Sequence, residues 1–198
     1  MIDPDRIELF MLKCPVIEGE LRRQLIEHNR GATLVKISDI DTGLDQYIKQ
    51  FDLSIRNNAS KMAQYYEIFY MLENDIRQLI ADTLEAAHGP NWWDLRVPQG
   101  PKDEAKKNRE REEQAGVTAR SEDEIDYITF GQLQEIIRSN WDDFAGIMSN
   151  QSAVIRVLSG LNMLRGTIAH CGTLAEDEVE RLKLAIKDWF RVLEGPKN

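Results

Sequence analysis

The side chains best equipped for chemistry lie near the end of the chain, in the run Arg165-Gly166-Thr167-Ile168-Ala169-His170. Val154, Leu158, Leu161 and Ile168 flank Arg165 on one side of a helical wheel, so the arginine is set into an apolar stripe. Arginine is almost never fully buried unpaired, and its guanidinium must therefore meet a carboxylate, a water-filled cleft or a ligand anion. His170 follows after four intervening residues and carries the side chain suited to proton transfer near neutral pH. A fixed cation and an imidazole are the minimum needed to act on a phosphodiester. A regular helix places the two about 140° apart around its axis, so the backbone near Gly166 or Gly172 reorients the imidazole, or a second copy of the chain completes the site.

A second charged residue interrupts a core-facing stripe further upstream. The spacing of Tyr65, Phe69, Leu72, Ile76, Ile80 and Thr83 predicts a long helix over 60–88, with Ser60 as N-cap and Gly89-Pro90 as its end. Glu73 lies only about 40° from Phe69 on that helix, and Arg77 flanks the same stripe one turn later. A buried carboxylate needs hydrogen-bonding partners, and Arg165 on the other long helix is the obvious one. The expected arrangement is a Glu73 to Arg165 contact across two packed helices.

The elements that would position these groups are helical. Apolar spacing stays close to 3.6 and hairpin signals are missing, which predicts an all-α domain. Residues 1–59 read as a small N-terminal appendage, with helices at 7–12, 17–28 and 44–51 and one extended segment, 33–37, as the only strand candidate. It is too small to bury much by itself and should pack on the rest or on a partner protein. Residues 60–195 form the main helical domain. Within it, 89–120 reads as a proline-rich and charged connection whose Trp92-Trp93 pair caps the bundle. Its basic residues are interleaved with acids and read as a solvated helix face with pairs such as Asp103 to Lys107. Three capping-box patterns, Ser121 with Glu124, Thr129 with Gln132 and Thr173 with Glu176, mark further helix starts. They predict helices at 130–139 and 174–193, with the Arg165 helix at 152–171 between them.

Composition narrows the classes of function. The chain has 198 residues, 42% hydrophobic and 30% charged, which fits one ordinary globular domain with an appendage. No apolar run approaches a membrane span, and the N-terminus lacks the layout of a signal peptide, so a cytoplasmic location is expected. Cys14 and Cys171 are too few for a disulfide framework or a zinc site, and His28 and His88 are too dispersed to bind a metal. No glycine-rich phosphate loop occurs, so no cofactor is expected. A net charge of -9 argues against generic nucleic-acid binding, and any RNA contact must be local. Cys171 beside His170 lacks an orienting third group and does not read as a nucleophile.

The order of Tyr-Tyr-Glu-Ile-Phe and Leu72-Glu73-Asn74-Asp75-Ile76-Arg77, Trp92-Trp93, a charged connector, Phe130-Gly131-Gln132-Leu133, Trp141, then Leu161-Asn162-Met163-Leu164-Arg165 with Ile168-Ala169-His170 resembles a HEPN domain. The resemblance covers roughly residues 60–195. It is narrowest with the branch found in a eukaryotic RNA-surveillance endoribonuclease and in many bacterial proteins. Gly166 stands where many relatives carry a polar residue such as Asn. The resemblance implies a helical bundle that dimerises, with a metal-independent ribonuclease site shared by both protomers. In it Arg165 binds phosphate, His170 transfers a proton, and Glu73, Arg77 and Asn162 support them. Cleavage would leave a 2′,3′-cyclic phosphate, in the setting of phage defence or a toxin. A guanidinium matches the bidentate geometry of phosphate oxygens, and a helix C-terminus favours the imidazolium that donates a proton. The alternative is a catalytically silent HEPN module for dimerisation or partner binding, in which Arg165 and Glu73 are a structural ion pair and His170 a helix cap.

Overall fold

A computed structural model describes residues 43–195. The helices expected at 7–12 and 17–28, the extended segment 33–37, Cys14 and His28 lie outside the described residues. The chain divides into two compact units, Met1–Lys61 and Met62–Asn198. Among the described residues every regular element is helical.

In the first unit, α1 spans Asp45–Ile48, shorter than the expected 44–51. The chain then turns, and α2 runs from Leu53 to His88. It begins seven residues before the expected Ser60, because Asp52 is the cap that operates. The Asp52 carboxylate accepts from the Ser54 backbone N–H at 2.7 Å and from the Ser54 hydroxyl at 2.6 Å. Those two bonds hold its carboxyl below the ordinary value.

The second unit contains α2 from Met62 onward and all the elements after it. The segment expected as a connection folds into α3, Trp92–Arg96, and α4, Gln99–Ala115. Its prolines start the longer helix instead of breaking it. Pro98 is the residue before the first turn and Pro101 lies within that turn, where a missing N–H costs no helical bond. Gly116 ends α4 at φ 67°. The charged face is laced by Lys107–Glu104, Lys106–Glu110 and Arg109–Glu113. Asp103 instead accepts from Gln99 at 2.7 Å, not from Lys107.

A 3₁₀ turn at Glu124–Tyr127 replaces the helix expected after Ser121, whose hydroxyl accepts from the Asp123 N–H at 3.1 Å. α5 covers Phe130–Ser139 as expected, with the Gln132 side chain accepting from the Thr129 N–H at 2.8 Å. α6 is the short Trp141–Phe144. α7, Gln151–Ala169, starts at Asn150, whose side chain accepts from the Ala153 N–H. α8 spans Glu176–Val192, two residues later than the Thr173 pattern suggested, because Glu178 reaches back to the Ala175 N–H at 3.1 Å.

The core is built where these helices turn their apolar stripes inward. Phe69, Leu72, Ile76, Ile80 and Leu84 of α2, Val154, Leu158, Leu161 and Leu164 of α7, and Leu182, Trp189 and Val192 of α8 are buried in one cluster. Phe130, Leu133, Ile136 and Ile137 of α5 complete it, as do Ile125, Tyr127 and Ile128 of the 3₁₀ region. Burial of each large aliphatic or aromatic side chain contributes about 1.5–3 kcal/mol, enough to fix the rotation of each helix and therefore the direction of its polar groups. Trp92 joins this core, with Trp93 edge-on at 5.7 Å.

Two local devices fix the helix ends. At one end of α2, Nε2 of His88 lies 3.0 Å from Oδ2 of Asp143, which also accepts from Arg96 at 3.2 Å. Buried Asn140 donates to the carbonyls of Arg96 and Ile136, at 3.1 and 2.9 Å. Together these tie the ends of α2 and α3 to α6. At the end of α7, the Gly172 N–H donates to the Thr167 carbonyl at 2.8 Å and the Cys171 N–H to the Ile168 carbonyl at 3.1 Å. This is the paired Schellman pattern, in which the residue after the cap adopts the left-handed conformation. Here that residue is Cys171, at φ 59°, and not the glycine beside it. Gly172 is required for another reason: an added Cβ would lie 2.8 Å from the Thr167 methyl and 3.0 Å from its carbonyl oxygen.

These devices make two outcomes expected. Cys171→Gly should stabilise the protein by about 1 kcal/mol by relieving the left-handed strain, while Gly172→Ala should destabilise it by about 1–2 kcal/mol, both read by thermal unfolding. The hydrogen bond from His88, reinforced by the charges of His88 and Arg96, holds the Asp143 carboxyl below its ordinary value. A carboxylate with a depressed folded pKa stabilises above its unfolded value, about 3.9, and that contribution is lost as pH falls through the folded value. Below about pH 4, the melting temperature of the unaltered protein should therefore drop more steeply than that of Asp143→Asn.

Candidate functional site

Four side chains on one stripe of α2, Tyr66, Tyr70, Glu73 and Arg77, follow helical spacing and line a single groove. Because Phe69, Leu72 and Ile76 anchor the buried face, this stripe is held at the margin between core and solvent. Glu73 occupies its centre, with 15% of its side chain exposed, and each of its oxygens receives a different arginine. Arg77 donates to Oε1 at 2.5 Å, and Nε of Arg165 donates to Oε2 at 3.4 Å. The two long helices therefore meet through a shared carboxylate.

The two arginines are used differently. Arg77 also donates to the carbonyls of Ile125 and Ile128, the latter at 2.9 Å, and its Nε stands 4.0 Å from Asp126. Its role is to pin the 3₁₀ turn against α2. Arg165 engages Glu73 through Nε, and its terminal nitrogens have no protein partner among the described residues. Its side chain is 36% exposed, so the guanidinium is oriented from behind and open in front. Such a fork can still form two parallel bonds to an oxyanion.

The opposite wall carries Asp126 and Arg120. Arg120 donates through Nε to Glu112 at 2.6 Å and lies over the Tyr127 ring, 5.1 Å from its centroid. Arg109 approaches the same ring at 5.7 Å. Tyr127 is buried and donates its hydroxyl to the Ser121 carbonyl at 2.8 Å, which keeps this platform in place. The groove has a volume of about 620 Å³, and α7 closes it with Arg165, Ile168 and Ala169.

The structure thus brings Glu73, Arg77 and Arg165 together. It does not bring His170 or Asn162 into the same groove. His170 is the exposed C-cap of α7, its N–H bonded to the Gly166 carbonyl at 3.1 Å. Asn162 faces α5, where a Cβ on Gly131 would stand 3.4 Å from its side-chain nitrogen. Cys171 is exposed and free. Among the described residues, no group of three or more His, Cys, Asp or Glu side chains is placed to hold a metal ion. No helix there is long and apolar enough to cross a membrane.

Sequence reasoning missed Tyr66, Tyr70, Arg120 and Asp126. The tyrosines carried a legible signal, since they share the spacing of Glu73 and Arg77. Arg120 and Asp126 did not, because Asp126 is placed by Arg77 through the carbonyls of Ile125 and Ile128, and Arg120 by Glu112 and the Tyr127 ring.

An all-α bundle whose two long helices exchange an arginine–carboxylate contact beside an open groove defines a class of helical domain. The Swt1-like HEPN family model matches residues 67–194, and the chain belongs to that family. No curated protein and no solved structure matches the chain.

The shared carboxylate makes an asymmetric outcome expected. Glu73→Ala leaves the largely buried Arg77 with only the more distant Asp126 as an acid and should cost about 1–3 kcal/mol, whereas Arg165→Ala, which leaves the Glu73–Arg77 pair intact, should cost less than about 1 kcal/mol. Chemical denaturation of the two variants measures the difference.

Proposed function

We propose that this HEPN domain is a metal-independent endoribonuclease that works as a homodimer, with Arg165 and His170 drawn from both protomers. The observation that carries the reading is the state of Arg165. A carboxylate orients it through Nε, and its two terminal nitrogens face an open groove without a protein acceptor. A guanidinium held through Nε alone keeps its terminal fork available to the oxygens of a phosphate.

In this reading the 2′-hydroxyl of the RNA attacks the adjacent phosphorus. A 2′-O–P bond forms, the P–5′-O bond breaks, and the products are a 2′,3′-cyclic phosphate and a 5′-hydroxyl. Arg165 holds the non-bridging oxygens, where negative charge accumulates. One histidine accepts the 2′-hydroxyl proton and its counterpart donates to the leaving 5′-oxygen, which is the division of labour two copies of His170 would supply. Met163, 78% exposed, lies two turns before His170 on the same side of α7, so an apolar contact and the imidazole share one face. That face suits an isologous contact between two copies. Such an enzyme would act in the cytoplasm, in defence against foreign nucleic acid or as a toxin, with residues 1–59 available to a protein partner.

One observation favours a second reading, a HEPN module without activity. His170 is absent from the groove of its own chain, and Gly166 provides no side chain there.

The two readings part on one assay. Labelled RNA incubated with the protein and EDTA should be cut, and Arg165→Ala and His170→Ala should each lower the rate by about a hundredfold or more. Cleavage that survives both substitutions, or a strictly monomeric protein that cuts, excludes the shared site. No cleavage under any condition favours the silent module.

A further inference from the structure

The groove contains a feature that phosphate binding alone does not use. Tyr66 and Tyr70 are each 61% exposed, although both sit on the stripe that leads to Glu73 and Arg165. Their ring centroids are 6.3 Å apart with planes 38° from parallel, so neither ring is covered by the other. An exposed pair of large aromatic rings is costly to keep in water unless something covers it. Beside it stand the free terminal nitrogens of Arg165 and the side chain of Arg120.

We infer that Tyr66 and Tyr70 are a stacking platform for the bases of single-stranded RNA, placed next to the phosphate held by Arg165. Helical rise separates the two tyrosines by about 6 Å along the axis. The arrangement runs from an aromatic surface to a cationic one, which is the order in which a base and its phosphate leave the sugar. Exposed rings accept any base by its face, so the platform selects strandedness and not sequence. A duplex keeps its bases stacked on each other and offers only backbone to this groove. The occupant is therefore an unpaired nucleotide, and the charges fit it: Arg77, Arg120 and Arg165 line the groove against Glu73 and Asp126. This inference rests on the ribonuclease reading for its polymer, but it concerns different residues.

The test uses the full chain and an RNA whose 2′-hydroxyls are methylated, which binds without being cut. A fluorescent single strand and a blunt duplex of the same sequence are titrated at low and high salt. The single strand should bind more tightly than the duplex, and Tyr66→Ala with Tyr70→Ala should weaken it by roughly tenfold or more. The pair Tyr66→Phe with Tyr70→Phe should bind like the unaltered protein, and Tyr66→Leu with Tyr70→Leu should not. The loss should persist at high salt, where the share of affinity owed to Arg165 shrinks. Leucine variants that bind normally, or equal affinity for strand and duplex, overturn the platform. A change from dimer to monomer in the alanine variant with RNA binding unaltered overturns it too, and assigns the pair to a protein interface. Failure of the ribonuclease reading looks different: Arg165→Ala would leave cleavage untouched while the dependence on the tyrosines remained.

Discussion

The carboxylate of Glu73 is the constraint on which the rest depends. Arg165 lies in an apolar stripe of α7, and its half-buried guanidinium takes its orientation from a partner carboxylate. The partner is on α2, 92 residues away in sequence, and it is already committed to Arg77. One acid between two bases leaves surplus positive charge at the groove. That surplus is stable only because Arg77 discharges its remaining donors onto the carbonyls of Ile125 and Ile128. The same bonds hold the 3₁₀ turn that carries Asp126 into the groove wall. Removing Glu73 would thus disturb a helix contact, a turn and a cation together.

This local surplus has to be weighed against a chain of net charge -9. At physiological ionic strength the screening length is about 8 Å, so the acids elsewhere on the surface are largely hidden from an anion seated in the groove. They still act on an anion approaching from solution. For the proposed ligand, long-range attraction is therefore weak, and affinity would come from contacts at close range, from oriented donors and covered rings. A guanidinium positioned by a carboxylate supplies the former, because its geometry is set before the ligand arrives.

Much of this was legible in the sequence because it rests on periodicity. The stripes that bury Phe69, Ile76, Leu158 and Leu161 announce themselves, and the charged residues set into them mark the Glu73–Arg165 contact. The errors have a common cause in local chemistry that offers two solutions. Asp52 outcompetes Ser60 as a cap, Glu178 reaches Ala175 although the Thr173 pattern pointed to an earlier start, and the prolines at 98 and 101 initiate a helix instead of interrupting one. The far groove wall was not legible. Asp126 is placed by hydrogen bonds to main-chain carbonyls, which have no side-chain identity to read, and Arg120 by a carboxylate eight residues back and a ring seven residues on, across a turn that no periodicity marks.

The end of α7 decides between the two ways in which the sequence allowed Arg165 and His170 to cooperate. Reorientation within one chain would need a break at Gly166 or a loosened terminus at Gly172. The helix instead runs without interruption through Gly166 to Ala169, and the Schellman pair of hydrogen bonds fixes the turn at its end. The close approach of Gly172 to Thr167 leaves that turn no room for a side chain at 172. His170 is consequently held on the exposed side of the helix, in register with Met163, while Arg165 stays in its groove. Under the proposed mechanism a single chain therefore supplies the phosphate grip without the proton transfer. In that mechanism the imidazole that serves a groove would come from another copy, and dimerisation would be a condition of the proposed chemistry.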